Sequence, residues 1–81
     1  MIYKFSNNEI SISTANTVYN SPIVRISNPT TGVINCTMAV NSTVNVASFS
    51  VLGNSEIIVE KTSTYTLQGT GLVASPVAYR Y

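Results

Sequence analysis

The sequence predicts an all-β protein, a small antiparallel β-sandwich of about seven or eight short strands. Three observations carry that expectation. Apolar and polar residues alternate with period two, most cleanly over Val33–Val40, where Ile34, Cys36, Met38 and Val40 share one face and Asn35 and Thr37 the other. Clusters of Gly, Pro, Asn and Ser interrupt the chain every ~8–12 residues, the spacing of turns between short strands. No window shows the i, i+3, i+4 apolar spacing of a helix, and Glu, Lys and Gln are scarce.

Taken in order, Ile2–Phe5 is an apolar-aromatic opening strand, followed by a turn at Ser6-Asn7-Asn8. Glu9–Ser13 alternates, with Ile10 and Ile12 on one face. Thr14-Ala15-Asn16 breaks it, and Thr17-Val18-Tyr19 resumes it. Pro22–Ser27 follows the Asn20-Ser21-Pro22 break, with Val24 and Ile26 inward and Arg25 outward. Asn28-Pro29-Thr30-Thr31-Gly32 is a connection, because proline and glycine sit where a turn needs them. Asn41-Ser42-Thr43 ends the strand at Val33–Val40. Beyond Thr62-Ser63-Thr64, Tyr65–Leu67 is a strand fragment and Gln68-Gly69-Thr70-Gly71 a turn. Leu72–Ala74 is apolar, Ser75-Pro76 breaks it, and Val77, Tyr79 and Tyr81 alternate with Ala78 and Arg80 in a last strand.

The stretch Ala47–Lys61 is the expected organiser. Ala47, Phe49 and Val51 alternate with Ser48 and Ser50, and Ile57-Ile58-Val59 is a β-branched run. Gly53-Asn54 between them predicts a tight turn and a hairpin, with Gly53 at positive φ. The expected core is Ile10, Ile12, Val24, Ile26, Ile34, Met38, Phe49, Val51, Ile57 and Val59.

The chain has 81 residues, which makes residues 1–81 a single domain with a small core. Cys36 is the single cysteine, so no intrachain disulfide forms, and no histidine is present. A free thiol suits synthesis in a reducing compartment. Only 9% of the residues are charged, against ~25% in ordinary soluble domains. Net charge is +1, which argues against nucleic acid or an acidic membrane as partner. No apolar run reaches the ~18–20 residues of a membrane span, and MIYKFSNNEIS lacks the apolar core of a signal peptide. Met1 at the start fits a product made in the cytoplasm. The glycosylation triplets at Asn35 and Asn41 are chance matches in a chain this rich in Asn and Thr. So few charges defend a lone protein poorly against self-association, which predicts that much of its surface is covered in an assembly; the other reading is a secreted or extracellular β-domain with a Ser/Thr/Asn surface.

No constellation for chemistry emerges, and the chain is expected not to be an enzyme. Glu56 and Glu60 lie four residues apart on a strand, roughly 13 Å, too far for a paired-carboxylate mechanism, and read as a solvated face with Lys61 nearby. Serine, threonine and cysteine nucleophiles need a base, and without histidine Cys36 reads as a small hydrophobe. Gly69-Thr70-Gly71 precedes no helix and is no phosphate loop. No catalytic residue, cofactor site or metal site is assigned. Five tyrosines and two phenylalanines lack the basic surround of a nucleic-acid stacking platform.

The segments YKFSNNEISISTANTVYNSPIVRI, FSVLGNSEIIVEK and SPVAYRY resemble small structural proteins of tailed bacteriophages, notably marine and cyanobacterial ones. The resemblance spans nearly the whole chain, but its motifs are structural and bring no functional residue. It implies a virion component, made in the host cytoplasm and placed on the capsid exterior as a decoration or cement protein. Its partners would be the major capsid protein and neighbouring copies of itself, as a homo-oligomer or bound to the lattice. A tail- or neck-associated accessory protein is the alternative within that class. A small module binding carbohydrate or a host surface, through Tyr19, Tyr65 and Tyr81, is the alternative outside it. The terminal segments, with Ile2, Tyr3, Lys4, Phe5, Val77, Tyr79, Arg80 and Tyr81, are the expected interface. They join aromatic residues to one basic residue each, the mixture favoured at hot spots, and are expected on open strand edges.

Overall fold

Eight strands form two antiparallel sheets in the computed structural model, which describes residues 2–5, 8–40 and 44–80 and the side chains of 8–40 and 44–77. They are β1 (Ile2–Phe5), β2 (Ile10–Ser11), β3 (Ile23–Asn28), β4 (Ile34–Val40), β5 (Val44–Val51), β6 (Ser55–Glu60), β7 (Tyr65–Gln68) and β8 (Val73–Arg80). The first sheet runs β1-β8-β3-β6, with β2 also on β8; the second runs β5-β4-β7. The expected β-sandwich is therefore the observed fold.

Between the sheets lies the core that the period-2 pattern points to. Ile12, Val24, Ile26, Cys36, Met38 and Val51 are buried, and Ile10, Ile34, Phe49, Ile57 and Val59 pack against them. Val18, Leu67, Leu72 and Ala74 complete it from segments whose alternation is too short to read. Alternation works because successive side chains of a strand point to opposite faces. β3 shows it directly, with Val24, Ile26 and Asn28 buried and Ile23, Arg25 and Ser27 half-buried.

The expected hairpin over Ala47–Lys61 does not form. β5 pairs with β4 in the second sheet and β6 with β3 in the first, so the Leu52–Asn54 turn crosses between sheets. Gly53 is not at positive φ; Asn54 takes that role at φ 55°. Gly53 is required for a different reason. A Cβ there would fall onto the backbone carbonyl of Thr31. The connection after β3 is pressed against this turn, and the Asn54 amide donates to the Thr30 carbonyl at 2.8 Å.

Asn28 fastens the two together. It is 1% exposed. Its Nδ2 donates to the carbonyls of Gly32 (2.8 Å) and Val51 (2.9 Å), and its Oδ1 accepts from the Thr30 amide (3.0 Å) and hydroxyl (2.6 Å). All four bonding positions of the carboxamide are occupied, as a buried amide requires.

Two further expectations are corrected. Ser75-Pro76 does not break the last strand, which runs from Val73 to Arg80. β1 pairs with Phe5↔Val77 and β2 with Ile10↔Ala74, so five steps along one chain match three along β8. Among the described residues, Ser75 and Pro76 have no ladder partner on that side. A proline is tolerated where no ladder bond is asked of its nitrogen. Thr17-Val18-Tyr19 is not a strand either. Val18, Tyr19 and Asn20 have φ of 53°, 58° and 54°, a left-handed turn closed by the Ser21 amide on the Val18 carbonyl at 3.1 Å. Its cost of ~1–2 kcal/mol per residue is offset in part by complete burial of Val18.

Candidate functional site

Charge is divided unequally between the sheets. On the first, Arg25 of β3 reaches Glu9 at 3.0 Å and pairs with Glu56 of β6. The hydrogen bond to Glu56 raises the guanidinium pKa most, burial opposes it next, and the hydrogen bond to Glu9 adds a smaller rise. Glu60 is exposed at the end of β6. Lys61 does not join a solvated face with the glutamates, as its position suggests. It is 8% exposed, and its Nζ donates to the Ser63 carbonyl at 2.9 Å. Among the described residues no carboxylate lies within ion-pair distance of it. Burial lowers its amine to about 8.

The second sheet carries no Asp, Glu, Lys or Arg in any of its strands, INCTMAV, VNVASFSV and YTLQ. Its two edges differ. On the β7 side the segment before Val18 closes the ladder, because Asn16 and Leu67 exchange backbone bonds at 3.1 and 2.9 Å. On the other side, among the described residues, β5 pairs only with β4. An edge strand leaves one side of its backbone unpaired, and proteins usually guard it with charge, proline or shortness. β6, the edge of the first sheet, has Glu56 and Glu60; β1 has Lys4 and four residues. β5 has eight residues, none charged and none proline. Val44 and Val46 on it are 62% and 50% exposed. Its one irregularity is a bulge: Met38 pairs with Ala47 but Ala39 with Asn45, which leaves Val46 as the extra residue.

The sequence-predicted interface residues fall as follows. Ile2, Tyr3, Lys4 and Phe5 form β1, paired with Arg80, Tyr79, Ala78 and Val77. β1 is an edge strand, as expected. β8 lies inside the sheet along Val73–Pro76, and the terminal part named in the expectation, Val77–Arg80, extends past β3 with β1 as its partner among the described residues. Val77 is 3% exposed, committed to the chain's own interior. Tyr81 lies outside the described residues. Of the candidate stacking tyrosines, Tyr19 is 48% exposed on the left-handed turn, whereas Tyr65 packs against the core.

The remaining candidates for chemistry have structural roles. Cys36 is fully buried, and burial pushes its thiol up to about 11, which removes it as a nucleophile near neutrality. Gly71 has φ 92° in the turn after β7, and at Gly69 a Cβ would meet the Asn35 carbonyl at 2.9 Å. No group of three or more metal-ligating residues occurs among the described residues. A shallow polar depression of about 450 Å³ lies beside Asn28, Asn54 and Glu56, but its carboxylate is already engaged by Arg25. The β5 edge was missed in the sequence because partner choice is not local. Its signal is nonetheless present: no charged residue occurs between Arg25 and Glu56. Compared with family models, with curated proteins and with solved structures, the chain matches none.

Proposed function

We propose that this chain is a non-enzymatic virion structural protein of a tailed bacteriophage, a capsid decoration protein that binds the major capsid protein lattice and neighbouring copies of itself. One observation carries the assembly half of that reading: a complete three-stranded sheet without a charged residue, ending in an eight-residue open edge. Such an edge is an aggregation risk in a freely diffusing protein and a docking element in an assembled one. The particle half is supported by the resemblance of its segments to phage structural proteins. The terminal strand pair, Ile2–Phe5 with Tyr79 and Arg80, is assigned to the major capsid protein, by strand addition at β1. The carbohydrate-binding alternative has less support, since Tyr65 is held against the core.

The test is rebinding. Particles lacking the protein are incubated with purified chain and separated by sedimentation. Saturable binding in register with the number of capsid subunits is the expected result. Binding confined to isolated tails would move the assignment to a tail or neck accessory protein, and no binding to either would remove it.

A further inference from the structure

The open edge of β5 is self-complementary. In an antiparallel pair, residues directly opposite share a face. Ala47, Phe49 and Val51 pair with Met38, Cys36 and Ile34 of β4, and Phe49 packs on the core; Ser48 and Ser50 are exposed on the other face. Two copies of β5 related by a two-fold axis at Phe49 keep these faces matched. Phe49 then stands opposite Phe49 of the second copy, Ser48 opposite Ser50, and Ala47 opposite Val51. Each pairing is apolar with apolar or hydroxyl with hydroxyl, and no charge opposes the approach. A shift of one residue would set apolar against polar throughout.

The ends of the regular run are also marked. Val46 is bulged and bends the strand on one side. The Val51 carbonyl is taken by Asn28 Nδ2 on the other. Between them lie Ala47–Ser50, which with Val51 make up the five positions paired about Phe49. Pairing about a two-fold axis uses the β5 edge of both copies and so stops at two, and on the β7 side Asn16 bridges Leu67.

We propose that a second copy of this chain docks on β5, joining two three-stranded sheets into one six-stranded sheet about a two-fold axis at Phe49. The inference rests on the assembly half of the proposed function and is independent of the particle. A chain present in virions but monomeric in solution would remove this inference alone. A β5 dimer absent from virions would remove the other.

The test is register-specific. Ser48→Lys with Ser50→Lys places lysines directly opposite lysines in the dimer, whereas Ser48→Lys with Ser50→Glu places each lysine opposite a glutamate. Sedimentation equilibrium of purified protein should show a concentration-dependent dimer for wild type. Association should be roughly 2- to 30-fold weaker for the lysine pair and tighter by a similar factor, with salt sensitivity, for the lysine–glutamate pair. Equal association of all three, or weakening by both, overturns the proposal, as does a wild type that stays monomeric throughout. A second measurement needs no substitution. In a mixture of labelled and unlabelled wild type, nuclear Overhauser effects should connect Phe49 rings of different copies; a dimer without them overturns the proposal as well.

Discussion

Replacing Asn28 tests whether one carboxamide joins the two sheets. The side chain makes four hydrogen bonds, to Gly32, Val51 and twice to Thr30. Asn28→Ala strands the Val51 carbonyl in a buried setting, which costs ~1–3 kcal/mol. The Gly32 and Thr30 partners lie at the surface, where water replaces part of what is lost, so they add about 1 kcal/mol together. The expected loss is about 2–4 kcal/mol out of roughly 4–12 for a domain of this size. In thermal melts that is a fall of about 10–25 °C. Asn28→Asp sharpens the test. It keeps the acceptor for Thr30 but turns a carboxylate oxygen towards two carbonyls. Its folded pKa must then rise above the ordinary ~3.9. With a raised folded pKa, stability is fully present below the unfolded value and lost as pH rises through the folded one. Asn28→Asp should therefore be strongly destabilised at neutral pH and recover part of the loss near pH 4, relative to wild type under the same conditions. Equal destabilisation at both pH values, or a neutral-pH melt matching wild type, would refute the role given to Asn28.

Two other substitutions separate mechanisms that look alike from the sequence. Gly53→Ala drives a Cβ into the Thr31 carbonyl and should cost ~1–3 kcal/mol in urea unfolding, whereas Asn54→Gly, at a position already in the left-handed region, should change stability by no more than ~0.5 kcal/mol; the reverse order would show that φ and not close approach governs the turn. Lys61→Met removes a buried amine and keeps the stem. Because the folded pKa of Lys61 is lowered to about 8 against ~10.4 unfolded, its charge costs stability below pH 8, and the cost fades as pH rises towards 10. The variant should be ~1–2 kcal/mol more stable near pH 7 and lose most of that advantage by pH 10; a pH-independent difference would contradict the burial of the charge.

What could be read from the sequence was whatever is encoded locally. Val24 with Ile26, Ile34 with Cys36 and Met38, and Phe49 with Val51 alternate visibly, and all lie in or against the core. The turn at Gly53-Asn54 was equally legible, but not what it connects. A turn signal fixes a change of direction, whereas the choice between β4 and β6 as partner for β5 is decided by packing over the whole domain. Val18 was hidden because a β-branched residue in a left-handed turn contradicts its own propensity, and no glycine marks the place. Lys61 was hidden by its neighbour: Glu60 points to solvent and Lys61, one residue on, points in. The termini were legible as strands: β1 is an edge, and Val77–Arg80 of β8 extends past β3 with β1 as its partner, although the Val77 side chain is buried. Composition was the better guide to the candidate site. The charge deficit is visible in the composition, and the fold concentrates that deficit in one sheet.

The central claim is that this chain is a repeated component of a phage particle. Quantitative mass spectrometry of purified virions whose genome encodes it tests this most directly, with the major capsid protein as internal standard. The chain is expected in the particle at a copy number comparable to that of the capsid subunit. Its absence from the virion, together with accumulation in the infected-cell lysate, would contradict the claim.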